Sequence, residues 1–429
     1  MSILINNVSI ITMDGKDNIL NKGYILISGN TIEKVESGEY EGPITSLKVI
    51  DGEGCIAMPG LINMHTHVPM TLLRGYGEGL PLMKWLNERI FPFEAKMTKD
   101  DVYIGSLLGI VEMIKSGTTT FVDMYYKLSE IANAAKDMNI RAFLGNTIIG
   151  DDYKKQIDKT ISLKESIQSD LVNITLAPHS PYTCSTEALI MVSEAGRVNN
   201  IPIQIHLSES REEIDTIKAS HKVSPIKYCN DIGLFEGNKV IAAHCIHIDE
   251  DDMKILKDNK VAMVVNPQSN MKLASGTAPA IDAKRKGVNI CLGTDGPSSN
   301  NSLNMVEEMK VFSLVQKLFN SDANVMDPYT TLEIATVNGA KALGMEDSLG
   351  KIKEGYLADI ILIDTKKPHL TPCFNYYANI VYSAQGSDIK TSIINGKIVM
   401  KDYKIKLVDE TILMERAQNA VNSILSRLK

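Results

Sequence analysis

Long apolar runs, a basic charge excess and paired cysteines are all missing from this sequence. No apolar run is long enough to span a bilayer, and the first residues have neither the apolar stretch nor the cleavage site of a signal peptide. The six cysteines form no C-x-x-C pair and no disulfide framework, so we expect a reducing, cytoplasmic compartment. The net charge of −7 argues against nucleic acid as a partner, because phosphates require a basic surface.

A glycine-rich phosphate loop and internal repeats are also missing, and the missing loop disfavours a doubly wound dinucleotide-binding fold. Instead, apolar β-rich runs alternate with helical patterns between residues 55 and 296. About eight runs occur, the number that closes a parallel (β/α)8 TIM-like barrel of the metal-dependent hydrolase kind. Their continuous apolar character is typical of strands that are covered on both faces. The runs are Cys55 to His67, Gly117 to Asp123, Ile140 to Ile148, Asn173 to His179, Ile201 to Glu209, Val240 to His247, Val261 to Pro267 and Val288 to Asp295.

Shorter strand patterns occur at both ends of the chain, and they predict a small β-sandwich built from both termini. At the N-terminal end they cover residues 3–13, 23–27 and 31–35, and at the C-terminal end residues 358–363, 391–394 and 397–403. We expect residues 1–57 and 351–408 to form the sandwich, residues 58–350 the catalytic barrel and residues 409–429 a C-terminal helix.

Histidine and aspartate side chains end four of the predicted barrel strands. His65 and His67 are separated by one residue and therefore project from the same face of a strand, whereas His206, His244 and Asp295 end three later runs. The C-terminal ends of the strands meet at the face where such barrels carry out chemistry. Imidazole and carboxylate groups are common metal ligands, so the sequence predicts a metal-dependent active site.

The ligand types indicate a catalytic metal. Imidazoles and one carboxylate leave a position open for water, whose pKa a divalent ion lowers to about 7. His179 stands at the end of the fourth run, where a carboxylated lysine would bridge a second metal, so we expect one ion per chain. We expect zinc first, with iron and manganese as alternatives. Glu209, three residues after His206, is placed to move a proton beside the ion. It could equally be a charge at a helix N-terminus, because cap-forming serines flank it.

These segments resemble the amidohydrolase superfamily, and within it the 5-methylthioadenosine/S-adenosylhomocysteine deaminase family. The resemblance extends over nearly the whole predicted barrel and into the flanking sandwich. The matching segments are MPGLINMHTHVPMTLLR (58–74), APHSPY (177–182), IHLSE (205–209), AHCIH (243–247), NPQSNMKL (266–273) and GTDGPSSNNSL (293–303).

The resemblance implies roles for the residues around the metal. Glu209 would protonate the ring nitrogen beside the attacked carbon, and His244 would orient the attacking water. Asp295 would also take a proton from that water and pass it to the departing ammonia. The metal ligands would be His65, His67, His206 and Asp295.

The resemblance also implies substrate contacts. Glu94 would bind ribose hydroxyls, His179 would be a second ribose contact, and Trp85, the only tryptophan, would form an aromatic wall. Ser299 would lie near the purine or ribose. Asn146 stands where relatives that bind S-adenosylhomocysteine can carry an arginine, so the carboxylate tail would be recognised weakly.

The resemblance leaves several functions open. Deaminases of guanine, pterins or cytosine and s-triazine hydrolases would use the same metal core. A remote alternative is an inactive barrel that serves as a binding scaffold.

Lys154 and Lys155 could supply positive charge for the carboxylate tail of S-adenosylhomocysteine, and they lie in a segment that we interpret as mobile. Lysine, however, lacks the bidentate geometry of arginine. We expect a homo-oligomer that acts on a small nucleoside and binds neither nucleic acid nor a membrane.

Overall fold

The structure is a computed structural model that describes residues 2–80 and 82–429. Its strands form an eight-stranded parallel sheet and a nine-stranded mixed sheet. In chain order the strands are β1 (Ser2–Ile11), β2 (Ile19–Ser28), β3 (Thr31–Ser37), β4 (Leu47–Asp51), β5 (Cys55–Pro59), β6 (Leu61–Thr66), β7 (Thr118–Tyr125), β8 (Arg141–Ile148), β9 (Val172–Pro178), β10 (Ile203–Leu207), β11 (Val240–His244), β12 (Ala262–Val265), β13 (Asn289–Leu292), β14 (Ile360–Asp364), β15 (Ile389–Ile394), β16 (Lys397–Lys401) and β17 (Lys404–Ile405).

Helices connect the barrel strands and cover their outer faces. Three short 3₁₀ turns (Val68–Leu73, Pro368–Leu370 and Gly386–Asp388) and two π-helical turns (Leu86–Ile90 and Asn379–Ser383) supplement them. The α-helices are α1 (Leu82–Trp85), α2 (Phe91–Glu94), α3 (Lys99–Lys115), α4 (Leu128–Asp137), α5 (Tyr153–Ser166), α6 (Thr186–Asn199), α7 (Arg211–His221), α8 (Pro225–Asp231), α9 (Glu250–Asp258), α10 (Pro267–Lys272), α11 (Ala280–Arg285), α12 (Met305–Asn320), α13 (Pro328–Ala335), α14 (Val337–Leu343), α15 (Tyr376–Ala378) and α16 (Glu410–Leu428).

The parallel sheet follows chain order from β6 to β13 and curls into the predicted barrel. Its first and last strands meet through side-chain and main-chain hydrogen bonds. Asn63 of β6 donates to the Thr294 hydroxyl at 2.7 Å and accepts from the Thr294 amide at 3.1 Å. One residue further, the Asp295 amide donates to the His65 carbonyl at 2.9 Å. These bonds hold Asp295 beside the histidines of the first strand.

The ends of the barrel helices follow from local chemistry. Thr98 and Asp101 form a capping box at the start of α3, in which each side chain accepts a hydrogen bond from the other residue's amide. The chain after α3 turns at Gly117, whose φ of 89° suits glycine, and enters β7 directly. Within the described ranges, none of the helices has the length and hydrophobicity that a bilayer span requires.

Strands from both termini form the mixed sheet, as the sequence predicts. β5 is the link, because it pairs in parallel with β1 and antiparallel with β14. Apolar side chains of the N-terminal strands, such as Ile5 and Ile27, pack in one cluster with Ile360 and Ile393 of the C-terminal strands. The sheet therefore encloses a core of its own beside the barrel.

A buried ion pair joins the mixed sheet to the N-terminal ends of the barrel strands. Arg141 of β8 contacts both carboxylate oxygens of Asp359, at 3.1 and 3.2 Å, and both side chains are almost fully buried. The same carboxylate accepts the Asn395 amide at 2.7 Å. Both carboxylate oxygens of Asp359 accept hydrogen bonds, so this ion pair holds the mixed sheet firmly against the end of the barrel that lies opposite to the histidines.

The sequence predictions of barrel and terminal strands are confirmed, with two differences. The apolar run from Cys55 to His67 is two strands, because Gly60 separates β5 of the mixed sheet from β6 of the barrel. β4 (Leu47–Asp51) was not predicted; it is only five residues long, and Ile50 is its one buried residue. Lys154 and Lys155, interpreted as part of a mobile segment, instead lie exposed on α5. The division into units at residues 57, 350 and 408 stays a prediction.

Candidate active site

Strand ends bring histidine and aspartate side chains together at the C-terminal face of the barrel. The potential ligand atoms of His65, His67 and His206 lie within 4.8 Å of one another, and so do those of His65, His244 and Asp295. The Nε2 atom of His67 is 3.2 Å from Oδ1 of Asp295 and 3.3 Å from Nε2 of His206. These side chains form a metal-binding cluster, as the strand-end pattern predicts.

The imidazole tautomers suit metal binding. His67 donates from Nδ1 to the Met124 carbonyl at 2.6 Å, and His206 donates from Nδ1 to the His179 carbonyl at 2.8 Å. A proton on Nδ1 leaves a lone pair on Nε2, which points into the cluster. Nε2 of His65 is buried and has no hydrogen-bond partner among the described residues. Three imidazole nitrogens and a carboxylate oxygen fit one divalent transition-metal ion.

The Asp295 carboxylate is oriented by its neighbours. Its Oδ2 accepts hydrogen bonds from the hydroxyls of Ser269 at 2.6 Å and Ser299 at 3.1 Å, and its Oδ1 accepts the Gly296 amide at 2.8 Å. Asp295 and His244 have φ values of 61° and 76°, a conformation that side-chain-bearing residues rarely adopt. Such strain persists only where the surrounding structure enforces it, as is common at functional sites.

Electrostatics in the cluster favour a cation. Burial opposes the charged form of His67, but the Asp295 carboxylate outweighs this and raises the pKa of His67 to about 9, so a metal ion that binds Nε2 of His67 would displace a proton. Burial also opposes ionisation of Asp295, yet the neighbouring imidazoles of His65 and His67, whose Nε2 atoms lie 3.6 and 3.2 Å from Oδ1, hold its pKa well below the usual value. Burial lowers the pKa of His65 to about 4, so this ring is neutral, as a ligand must be.

Glu209 and His244 face each other beside the cluster. Oε2 of Glu209 is 3.8 Å from Nε2 of His244, and the Glu209 side chain is 12% exposed. His244 donates from Nδ1 to the amide oxygen of Asn270 at 2.9 Å, which directs its Nε2 toward the cavity. Burial raises the pKa of Glu209, so this carboxyl retains a proton to higher pH than an exposed glutamate. Such a group is suited to proton donation.

A cavity opens above the cluster, with about 670 Å³ of empty space that includes open solvent. The segment that contains α1, a π-helical turn and α2 forms one wall, and it includes Trp85, which is almost fully buried. His179 also lines the cavity and bonds through Nδ1 to the Thr183 hydroxyl at 2.9 Å. Its Nε2 is therefore left for a ligand.

Glu94 lies at the wall of the same cavity, where α2 ends. It is 8% exposed, and its Oε1 has no hydrogen-bond partner among the described residues. Burial raises the pKa of Glu94 to about 7, although a hydrogen bond with Tyr125 opposes the shift. A buried carboxylate with an unused oxygen needs donors, which a polyhydroxylated ligand supplies.

The structure brings most of the predicted substrate contacts to this cavity. Trp85, Glu94, His179, Glu209 and Ser299 line it together. Asn146 is not among the described residues that line the cavity. Successive side chains of β8 alternate between its two faces, and the neighbouring Thr147 faces the cavity instead. The side-chain amide of Asn146 donates a hydrogen bond to the carbonyl of Thr147, at 3.4 Å.

The sequence analysis did not identify several residues that line the cavity, although one sequence pattern pointed to their segment. Asp123 ends the apolar run that predicts the second barrel strand, in the same way that Asp295 ends the run of the last, and it lies two residues before the end of β7. Its Oδ1 accepts the Val68 amide at 2.6 Å, and burial raises its pKa to about 7. The residues that follow, Tyr125 and Tyr126, form part of the cavity wall. Examining the polar residue at the end of every predicted strand would have identified this segment.

Comparisons with known proteins agree with this geometry. The family model described as Amidohydrolase family matches residues 56–399. A protein of Clostridium tetani named 5-methylthioadenosine/S-adenosylhomocysteine deaminase is 46% identical over 413 residues, which cover 96% of this chain and 96% of the relative. A protein of Methanosarcina mazei named 5′-deoxyadenosine deaminase is 41% identical and is covered to 99%, as is this chain.

A solved structure resembles the whole chain. The adenosine deaminase from Xanthomonas campestris with bound zinc superposes with a TM-score of 0.94 at 29% identity, covering 99% of this chain and 98% of its own. Atrazine chlorohydrolase from Arthrobacter aurescens, with a TM-score of 0.91 at 20% identity, covers 98% of this chain and 100% of its own. At that identity the second likeness concerns the fold alone.

Proposed function

Because the chain belongs to the amidohydrolase family, we propose that it deaminates adenosine-type nucleosides by hydrolysis, giving ammonia and the inosine analogue. The relatives from Clostridium tetani and Methanosarcina mazei carry names of adenosine-type deaminases and match over nearly their full lengths. The candidate substrates are 5′-methylthioadenosine, 5′-deoxyadenosine, adenosine and S-adenosylhomocysteine.

Glu94 is the observation that favours a nucleoside over a free base. Its buried, partly unpaired carboxylate lies in the same cavity as the metal cluster, and a ribose offers two adjacent hydroxyls to such an acceptor. The unused Nε2 of His179 supplies a second polar contact. A planar base alone would leave the Glu94 acceptor buried without a donor, at a cost of about 1–3 kcal/mol.

The residues in and around the cluster have different proposed roles in the reaction. His65, His67, His206 and Asp295 would hold a divalent ion, for which we propose zinc, and this ion would lower the pKa of water so that a nucleophile exists at neutral pH. Glu209 donates a proton to the ring nitrogen next to the attacked carbon. His244 orients the water through Nε2. Asp295 takes a water proton and delivers it to the departing ammonia, while Ser269 holds its carboxylate in place.

The 5′ end of the nucleoside faces a second cavity that shares Phe91, Glu94 and Tyr126 with the first. Ile149 and Ala95 add apolar surface to it, which suits a methyl or methylthio group. Its cationic residue is Lys127, which can attract the carboxylate of a longer tail but lacks the fork of an arginine. We therefore propose small 5′ groups as good substrates and a homocysteine tail as tolerated.

The test is release of ammonia by the metal-loaded protein from 5′-methylthioadenosine, guanine and cytosine, together with hydrolysis of a chlorinated s-triazine. Only the nucleoside should be turned over efficiently, and the product should be the inosine analogue. Efficient turnover of guanine, cytosine or the triazine, with none of the nucleoside, would replace the proposal by one of the other functions that use this metal core.

A further inference from the structure

Glu213, in the first turn of α7, makes two hydrogen bonds to the loop that carries Glu209. Its Oε1 accepts the amide of Ser208 at 2.7 Å, and its Oε2 accepts the amide of Glu209 at 2.9 Å. The residue is 1% exposed, so both bonds are shielded from water. Each oxygen of the Glu213 carboxyl accepts one amide, and these two hydrogen bonds oppose the effect of burial, which raises the pKa of Glu213 to about 7.

The same loop is fixed from its other side. Ser208 has a φ of 54°, a backbone conformation that L residues rarely adopt. Its carbonyl accepts the amides of Ile246 at 2.9 Å and His247 at 3.0 Å, in the loop that follows His244. The main chain of Ser208 thus connects α7, the Glu209 loop and the His244 loop.

The stability of α7 does not account for Glu213. Ser210 already caps this helix by accepting the Glu213 amide at 3.2 Å. Glu212, the other acidic residue of the first turn, is exposed and interacts with the helix dipole without losing hydration. Burying a carboxylate is energetically unfavourable unless its oxygens accept hydrogen bonds. The oxygens of Glu213 accept theirs from the loop that carries Glu209.

We propose that Glu213 is a positioning residue for the reaction, which fixes the main chain at Ser208 and Glu209 so that the Glu209 carboxyl meets the substrate ring in one orientation. This inference rests on the proposed role of Glu209. Glu213 lines neither the cavity nor the cluster, so it acts through the loop and not on the substrate.

The variant Glu213→Gln tests this role, because it keeps the size of the side chain but turns one acceptor into a donor that faces an amide. We expect kcat per bound metal to fall by about 10-fold or more, since small misplacements of a reacting group are costly. KM and metal content should stay close to those of the unmodified protein. Glu212→Gln, on the same helical turn, is the matched control and should change kcat by less than about 2-fold.

The double variant Glu209→Gln/Glu213→Gln separates positioning from general damage. If Glu213 acts through Glu209, the second substitution adds little to the first, because the group that it positions no longer donates a proton. Full multiplication of the two effects would overturn the proposal, as would unchanged kcat in Glu213→Gln. Near-normal turnover of Glu209→Gln alone would instead refute the proposed proton donor and the inference with it.

Hydrogen exchange provides a readout that does not depend on folding of a variant. In the metal-loaded unmodified protein, the amide hydrogens of Ser208 and Glu209 should exchange slowly although they lie in a loop. Exchange at the rate of an unprotected loop would show that Glu213 does not hold them, and would overturn the proposal.

Discussion

The metal end and the outer end of the cavity are built from different parts of the barrel. At the metal end, His206 and Asp295 stand at strand ends, and hydrogen bonds orient both side chains. At the outer end, Trp85 and Phe91 come from short helical turns between β6 and α3, and the second cavity opens beside Glu94. In the proposed function, the first end carries out the reaction chemistry and the second selects the substrate. Substitutions at the two ends should therefore have different effects.

The largest effect should follow loss of a metal ligand. His206→Ala removes one imidazole from the cluster, and we expect metal content well below one ion per chain with no turnover above background. Metal analysis and ammonia release measure both. His221→Ala changes an exposed histidine of α7 and is the matched control. Full activity with two ions per chain in the unmodified protein would refute the mononuclear site.

Glu209→Gln should have the next largest effect at the same end. It removes the proton while keeping the shape of the side chain, so we expect kcat to fall on the order of 10²-fold. Metal content and substrate binding should be retained, which distinguishes this variant from His206→Ala. A variant that turns over at nearly the normal rate would remove Glu209 from the mechanism.

A substitution at the outer end should alter selection more than chemistry. Glu94→Gln keeps the size but loses charge, and kcat/KM for 5′-deoxyadenosine should fall about 10-fold, because hydroxyl donors lose a charged acceptor. Slow turnover of adenine should change much less. The exposed Glu88, changed to Gln, is a control in the same segment. An equal loss for nucleoside and base would place Glu94 in the chemistry instead.

The smallest effect should come from the 5′ group of the substrate. Phe91, Tyr126 and Ile149 offer apolar surface without fixed polar partners, so 5′-methylthioadenosine, 5′-deoxyadenosine and adenosine should have similar kcat/KM values. S-adenosylhomocysteine should be accepted without strong preference. A preference for it above about 100-fold, near 2.7 kcal/mol, would reveal a group that binds its tail. Lys127→Met would then test whether that group is Lys127.

The two ends also differ in how far the sequence predicted them. The metal end follows from a strand pattern with a polar residue at the strand end, and this pattern identifies His65, His206 and Asp295 without a structure. Asp123 shows the same pattern and was overlooked. The eight-stranded barrel was predicted from continuous apolar runs that alternate with helical patterns, and the joining of both termini in one sheet from short strand patterns at the two ends of the chain.

The outer end depends on tertiary placement that no local pattern records. Asn146 was expected at the substrate, but strand alternation turns Thr147 toward the cavity. Ser299 was expected to contact substrate, and its hydroxyl also donates to Asp295. Tyr126 and Ile149 reach one surface from the ends of two different strands, so their proximity appears only after folding.

The most direct test of a nucleoside site beside a metal cluster is one ratio, kcat/KM for 5′-deoxyadenosine divided by kcat/KM for adenine, in the metal-loaded protein. Both molecules have the same purine ring, and they differ only in the sugar, for which we propose Glu94 and His179 as contacts. We predict a ratio of at least about 100, because ribose satisfies acceptors that adenine leaves unpaired at about 1–3 kcal/mol each. A ratio near one would contradict the assignment of the outer end to ribose and with it the proposed substrate class.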